Sequence, residues 1–563
     1  MSETLKNTPR PSASESARAA VAAAAAARAA PDWDLVLRRN NVERLKREKF
    51  PLEIVNDIDD LAERNYLDIT EEDMVRFQWY GLYQDKPKVG YFMLRIKAPS
   101  GILTAPQYRA IGELSQKFGR DYTELSTRQN VQLHWLQIKQ FHEVFAAMDA
   151  VGLTSLGGCG DSVRNITGCP VAGLASDELF DCRPQLDEVV HYFLTNREYF
   201  DLPRKHKITI STCAAQCNAP EINCIVFIGT RQNGEDGFSL RVGGGLSSTP
   251  RLARDLNVFV PQSQALEVSR AILDVWRTDL RYRLSRAKAR LKFLVDDYGP
   301  EGVRSAIEKQ LGRPLEPLLE TPKPVGSVDH LGVHPQKQQG LNYIGFPVYL
   351  GQVTGAQTIQ IGDLAEEIGS DIRLARQQNF ILTNVPDARV DEVIQRVAEI
   401  GFPLDVNGIR GASVGCTGEP LCNYAVAETK TKLAEIVERL EARFGRDVEG
   451  IKLGVDGCPH SCAHHWVSDI GLQGTTARGD QAGHDKLEAY EVYLRGGLGE
   501  NAEIGRPILR RVPTDEAPAY VERLVAAYLS ERHDGETFQG YTHRKSDEEL
   551  VAIGTGASVA VPA

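Results

Sequence analysis

LSQKFGRDYTELSTRQNVQL, residues 114–133, and LAEEIGSDIRLARQQNFIL, residues 364–382, share one pattern. Each reads as a helix end, a glycine and a short strand, and each carries a Gln-Asn pair, Gln129–Asn130 or Gln378–Asn379. A helix of matching phase follows each, HEVFAAMDAVGL at 142–153 and VDEVIQRVAEIGF at 390–402, with apolar residues at helical spacing. Further along, LRVGGGLSS at 240–248 answers to VYLRGGLGE at 492–500, and each leads through a Val-Pro (Val260-Pro261, Val512-Pro513) into a helix. Matches in one order, at an offset of about 250 residues, identify an internal duplication with pseudo-twofold symmetry. Duplicated halves usually place a ligand at their interface, where both contribute side chains.

The remaining composition narrows the class. A chain of 563 residues is too long for one core. Its 42% hydrophobic and 25% charged residues are ordinary for a soluble globular protein. No apolar run reaches the roughly 18 residues of a membrane span. The net charge of -11 argues against a nucleic-acid or anionic-membrane binder, while leaving room for a local basic pocket. The ends read as tails. ARAAVAAAAAARAA at 17–30 is too weakly apolar for a signal sequence and is interrupted by Arg28, and Glu3 and Glu15 disfavour a transit peptide. The final IGTGASVAVPA is small and uncharged. The cytoplasm is the expected address.

Ten cysteines are too few for a disulfide scaffold, and they cluster: six between 159 and 224, four between 416 and 462. Cys416 and Cys422 stand in GCTGEPLCN, and Cys458 and Cys462 in DGCPHSCAHH. The intervening segment has helical spacing at Leu433, Ile436, Val437, Leu440 and Phe444. Four thiolates in two close pairs, flanked by glycine and proline, suit an iron–sulfur cluster, or less well a zinc ion. Cys213-x3-Cys217 in STCAAQCNAPEINC mirrors the second pair, with Cys159 and Cys169 as upstream candidates. Their C-x9-C spacing lacks the tight first loop, so a structural role is expected there.

A C-x5-C followed about 35 residues later by G-C-P-x-x-C resembles the cluster signature of the sirohaem-containing nitrite and sulfite reductases, and the resemblance extends over roughly residues 75–535. It implies an α+β fold of internally duplicated, ferredoxin-like half-domains plus two sirohaem/[4Fe-4S]-type α/β domains. The boundaries expected are a tail at 1–45, a first half-domain segment at 46–157, a first reductase domain at 158–325, a second half-domain at 326–410, a cluster domain at 411–545 and a tail at 546–563. The resemblance implies a [4Fe-4S] cluster on Cys416, Cys422, Cys458 and Cys462, with Cys462 also the axial ligand of the sirohaem iron. His460 stands where the family usually has asparagine.

Carried over residue by residue, the resemblance places Arg95, Arg164, Lys205 and Lys207 on the substrate. Arg128, Gln132, His134, Arg204 and the loop Gly243, Gly244 and Gly245 fall near the macrocycle. Sirohaem has eight carboxylates and the substrate is an oxyanion, so many cations are required. Tyr83 and Cys159 match positions that some members join by a thioether. Lys205-His206-Lys207 goes with sulfite reduction, whereas ferredoxin-type nitrite reductases tend to have asparagine at the third position. The expected reaction is therefore sulfite to sulfide, with nitrite to ammonia as the alternative. GGGLS lacks the dinucleotide-binding context, so electrons are expected from ferredoxin, delivered to a monomer. The basic run RTDLRYRLSRAKARLKF at 277–293 places Arg283, Arg286 and Arg290 at helical spacing. It reads as a set of sirohaem contacts, a docking stripe for an acidic donor, or a solvated helix face. A bare Fe–S carrier and a zinc-stabilised binding module are the competing classes, and both leave the cationic motifs and the duplication unexplained.

Overall fold

The computed structural model describes residues 31–325, 330–478 and 486–557. Its strands form four sheets, and these are related in pairs as the duplication requires. One sheet runs Leu82–Gln84, Phe92–Ile96, Val131–Leu136 and Thr123–Leu125; its counterpart runs Gly332–Pro335, Leu341–Phe346, Phe380–Pro386 and Ile372–Leu374. Each takes its fifth strand from the other half. Gln352–Val353 pairs with Thr123–Leu125, and Ile102–Leu103 pairs with Ile372–Leu374.

The exchange makes the two half-domains one body. Their apolar side chains, among them Leu103, Ile111 and Leu125 with Val353, Ile361 and Leu374, form a single cluster. The helices Ala105–Phe118 and Gly355–Ile368 begin with the same Thr…Gln capping box, on Thr104 and Thr354. They pack so closely that a Cβ on Gly112 would lie 2.6 Å from the Gly355 carbonyl oxygen. The Gln-Asn pairs lock the exchange: Gln129 Nε2 donates to the Leu374 carbonyl (3.0 Å) and Gln378 Nε2 to the Leu125 carbonyl (2.8 Å).

The other two sheets repeat a second pattern. Thr167–Gly168, Ile208–Ser211 and Ile225–Gln232 are parallel, and Glu235–Val242 and Arg254–Pro261 continue antiparallel. Val414–Gly415, Leu453–Asp456, Ile470–Arg478, Lys486–Leu494 and Arg506–Pro513 do the same. Each sheet has its own core. Among the described residues no helix is long and apolar enough to cross a membrane.

Both expected tails are shorter than the sequence suggested. Trp33–Arg39 and Asn41–Glu48 are helices capped by Asp32 and Asn40. They dock through buried Glu43 and Lys46, which pair with each other and with Arg283 and Asp201 respectively. At the other end Asp547–Thr555 is a helix with a Ser546/Glu549 capping box and a fully buried Leu550. The Ala-rich segment at 17–30 lies outside the described residues.

Candidate functional site

Lys205 and Lys207 flank His206, which is fully buried and packs on Trp276 at 5.2 Å between ring centroids. The His206 backbone bonds to Ser162 on one side and Arg164 on the other, as an extended segment does. Side chains alternate along such a segment, so the core claims His206 and both lysines turn the opposite way. They meet Arg128, Arg164 and Arg290 there. Burial, and then the charges of Arg164, Arg290 and Arg204, push the Lys205 ammonium down to about 7. Burial, Arg128, Lys205 and Arg290 hold Lys207 well below its ordinary value. Arg128 falls to about 9, first through burial and then through repulsion from Arg164, Arg290 and Arg95.

The partners of these cations are neutral. Arg95 donates to Gln132 Oε1 (2.5 Å) and faces Cys159 Sγ (3.5 Å). Arg128 donates to Asn223 Oδ1 and the Asn165 carbonyl, and Arg164 to the Gly158 and Gly160 carbonyls. Arg290 donates to the Leu246 carbonyl and lies 3.5 Å from Cys224 Sγ. Arg204 and Arg286, by contrast, share the carboxylate of Asp161. Buried Nε atoms of Arg128 and Arg290 have no partner. Positive charge gathered away from water without counter-charge is costly. A polycarboxylate with a small oxyanion supplies what is missing, so the donor set fits sirohaem and its substrate.

Cys462 borders this pocket. Its backbone carbonyl accepts from Thr127 Oγ1 at 2.7 Å, and its thiol feels Lys205, Arg95 and Lys207. Burial and the proximity of the other thiols push Cys422 up to about 11 and Cys458 to about 12. Backbone N–H groups point at three of the four sulfurs: Gly457 at Cys416 (3.3 Å), Tyr424 and Ala425 at Cys422, and His460 at Cys458. Such donors stabilise anionic sulfur. Thiolates around one zinc ion at about 2.3 Å would sit about 3.8 Å from each other. Among the described residues, the group of three ligands that lies within 4.8 Å contains none of these four cysteines. The wider spacing suits a cluster and not a single ion.

Behind Arg95 lies a buried ionic network. Gln132, which holds Arg95, donates to Glu124 (3.0 Å) and Thr417 (3.1 Å), and Thr417 donates to Glu124. His134 sits between Asp85 (2.9 Å) and Glu124 (3.7 Å), 1% exposed. It reaches the pocket through Glu124 and Gln132. Burial opposes its charge, but bonds to Asp85 and Glu124 outweigh burial and raise it to about 9. A histidine held charged contributes stability that is complete below the free value near 6.5 and is lost as pH rises through about 9. Denaturant midpoints should therefore fall between pH 6.5 and 9 more steeply for the native chain than for His134→Gln; equal slopes would contradict this network.

The other expected residues are placed as follows. The Tyr83 hydroxyl is pushed up to about 12 by burial and by Cys159, so the two side chains are neighbours. Gly243, Gly244 and Gly245 pack against Val295, the Asn223 backbone and Arg290, with no room for a Cβ. They admit Arg290 and Asn223 to the pocket wall. His460 stacks edge-on against Tyr424 and is kept neutral by burial and by Lys205 and Arg204. Cys159 stands beside Arg95, apart from Cys169, Cys213 and Cys217, so it is not their upstream partner.

The basic run is not one helix. Helix Ala265–Arg277 ends there, Asp279 caps a short turn at Leu280–Arg283, and a second turn covers Arg286–Lys288. Arg283 is buried on Glu43 and Asp201, Arg286 pairs with Asp161, and Arg290 joins the pocket. The run is neither a docking stripe nor a solvated face. Arg376 and His464 were missed; they line a small cavity with Thr127, Arg128 and Asn223, where the halves meet. Aligning ARQQN with TRQN would have drawn attention to Arg376.

Comparison with known proteins agrees with this geometry. Residues 159–315 and 407–544 match the nitrite and sulphite reductase 4Fe-4S domain, and residues 83–151 and 334–400 the nitrite/sulfite reductase ferredoxin-like half domain. Sulfite reductase [ferredoxin] 1 of Mycolicibacterium paratuberculosis is 35% identical, over 91% of this chain and 96% of its own. Ferredoxin–nitrite reductase of Synechococcus elongatus is also 35% identical, over 86% and 96%. The structure of the Mycobacterium tuberculosis NirA protein superposes with a TM-score of 0.85 at 34% identity, covering 90% of this chain and 96% of that one. With its repeated half-domains, four-cysteine motif and polycationic pocket, the chain belongs to the nitrite and sulphite reductase family.

Proposed function

We propose that the chain reduces sulfite to sulfide with six electrons from ferredoxin, as a monomer in the cytoplasm. The observation that carries this reading is the crowd of cations without carboxylate partners beside Cys462. Cys416, Cys422, Cys458 and Cys462 would hold the [4Fe-4S] cluster, with Cys462 placed to contact the sirohaem as well, and the two groups would supply the electron transfer when bound. Arg95 and Arg164 grip the oxyanion. Lys205 and Lys207 hold it and deliver protons, since a lysine crowded by cations releases its proton near neutral pH. Each oxygen removed leaves as water and consumes two protons, so proton supply is part of the reaction. Arg128, Arg204, Arg290 and the Gly243–Gly245 wall hold the carboxylate rim, and Gln132 orients Arg95.

Nitrite reduction at the same site is the alternative, and the name of the Synechococcus relative favours it. Ferredoxin-coupled assays with each oxyanion separate the two: kcat/KM should be higher for sulfite, and a clear preference for nitrite would reverse the assignment. The Tyr83–Cys159 contact supports a thioether between them. Peptide mapping should find the two peptides joined with the loss of two hydrogens; free Cys159 and unmodified Tyr83 would dismiss it.

A further inference from the structure

The first half retains most of a second metal site. Cys169 follows the strand Thr167–Gly168 just as Cys416 follows Val414–Gly415. Cys213 and Cys217 follow Ile208–Ser211 just as Cys458 and Cys462 follow Leu453–Asp456. Only the counterpart of Cys422 is missing, since Ala175 holds its place.

His330 occupies the gap. Its Nε2 lies 3.2 Å from Cys217 Sγ, and the ligand atoms of Cys169, Cys217 and His330 are all within 4.8 Å of one another. The Cys213 thiol hydrogen-bonds to both Cys169 and Cys217. The three cysteines are at most 4% exposed and are enclosed by Val171, Leu174, Tyr343 and Ile381. None is in a disulfide. The approach of His330 is built in: a Cβ on Gly345 would lie 1.9 Å from the His330 carbonyl oxygen, so only glycine lets that backbone come so close.

Three thiols that merely fill an apolar core have no need of an imidazole among them. Their spacing also differs from that of the late cysteines. Sulfur at about 2.3 Å and nitrogen at about 2.0–2.1 Å from a tetrahedral ion place the ligand atoms about 3.5–3.8 Å apart, which the grouping of Cys169, Cys217 and His330 approaches. Cys213 lies outside that group but contacts Cys169 and Cys217, and a shift of its side chain completes the set. We propose that Cys169, Cys213, Cys217 and His330 bind a single zinc ion, a Cys3His site at the position pseudo-symmetric to the cluster. Binding displaces the three thiol protons to solvent and changes no oxidation state. His330 stands two residues before the first residue of the strand Gly332–Pro335, so the ion ties the first reductase domain to the chain entering the second half-domain.

Metal analysis and zinc-edge X-ray absorption on the holoenzyme, prepared from zinc-supplemented medium without chelator, test this. The expected result is one zinc per chain with three sulfurs at about 2.3 Å and one nitrogen at about 2.0–2.1 Å. His330→Ala should lower zinc retention against a competing chelator by at least about tenfold, while the visible absorbance of the main site per chain is unchanged. Native protein with less than about one-tenth of a zinc per chain, or zinc bound through fewer than three sulfurs, would overturn the proposal. Because the native content decides, a variant that fails to fold does not obscure the answer.

Discussion

Cys462→Ala should lose more than about a hundredfold in ferredoxin-coupled turnover with either oxyanion, and should lose its visible bands with it. Replacing a group that only supports a metal ligand costs about 10–100-fold, and on the proposed assignment Cys462 is itself a ligand. Its thiol is the member of the four-cysteine set reached by Lys205, Arg95 and Lys207 together, and Thr127 anchors its backbone from the first half. It is therefore the point where the proposed cluster ligands and the oxyanion pocket touch. Cys182→Ala is the comparison, since Cys182 is a buried cysteine of the first reductase domain's core, away from the pocket. That variant should keep its turnover and bands within about twofold, at a stability cost of about 1 kcal/mol. Native-like turnover in Cys462→Ala would remove the shared-ligand reading.

Lys207→Asn should cut sulfite turnover by about a hundredfold while leaving nitrite turnover within about threefold. Sulfite has one more oxygen to expel as water and one more negative charge, so its reduction draws more heavily on the local positive charge. Lys207 is one of two lysines in the pocket, and its neighbours Arg128, Lys205 and Arg290 already favour loss of its proton. Asparagine keeps a hydrogen-bond donor but supplies neither the charge nor the proton. The fold should tolerate the change, because His206 and not Lys207 is packed in the core. Equal losses for both substrates would sink the assignment of Lys207 to discrimination.

The duplication and the four late cysteines were legible because each is written in local, contiguous sequence. The exchanged strands were not: Ile102–Leu103 and Gln352–Val353 are two residues each, too short to show a period. Arg283, Arg286 and Arg290 mimic helical spacing, yet the helix ends at Arg277, Asp279 caps a new turn and the three arginines go to separate partners. The terminal helices carried visible caps, Asp32, Asn40 and Ser546, that the low-complexity neighbours obscured. His330 was beyond sequence reasoning, since it lies 113 residues from the thiol it meets. The ionic network around His134 was not legible, because Asp85 lies 49 residues away and only the sheet pairing brings Glu124 opposite. The basic pocket hidden by a net charge of -11 is the reverse case. Its members were named one by one in the sequence, and only the fold shows that they share a space in which only Arg204 and Arg286 meet a carboxylate, that of Asp161.

The central claim is that this pocket and these cysteines together hold a tetrapyrrole coupled to a cluster. One visible absorption spectrum of the purified chain tests it. The account predicts tetrapyrrole bands above an iron–sulfur background; a featureless sulfur-to-iron shoulder, or a colourless protein, would contradict it.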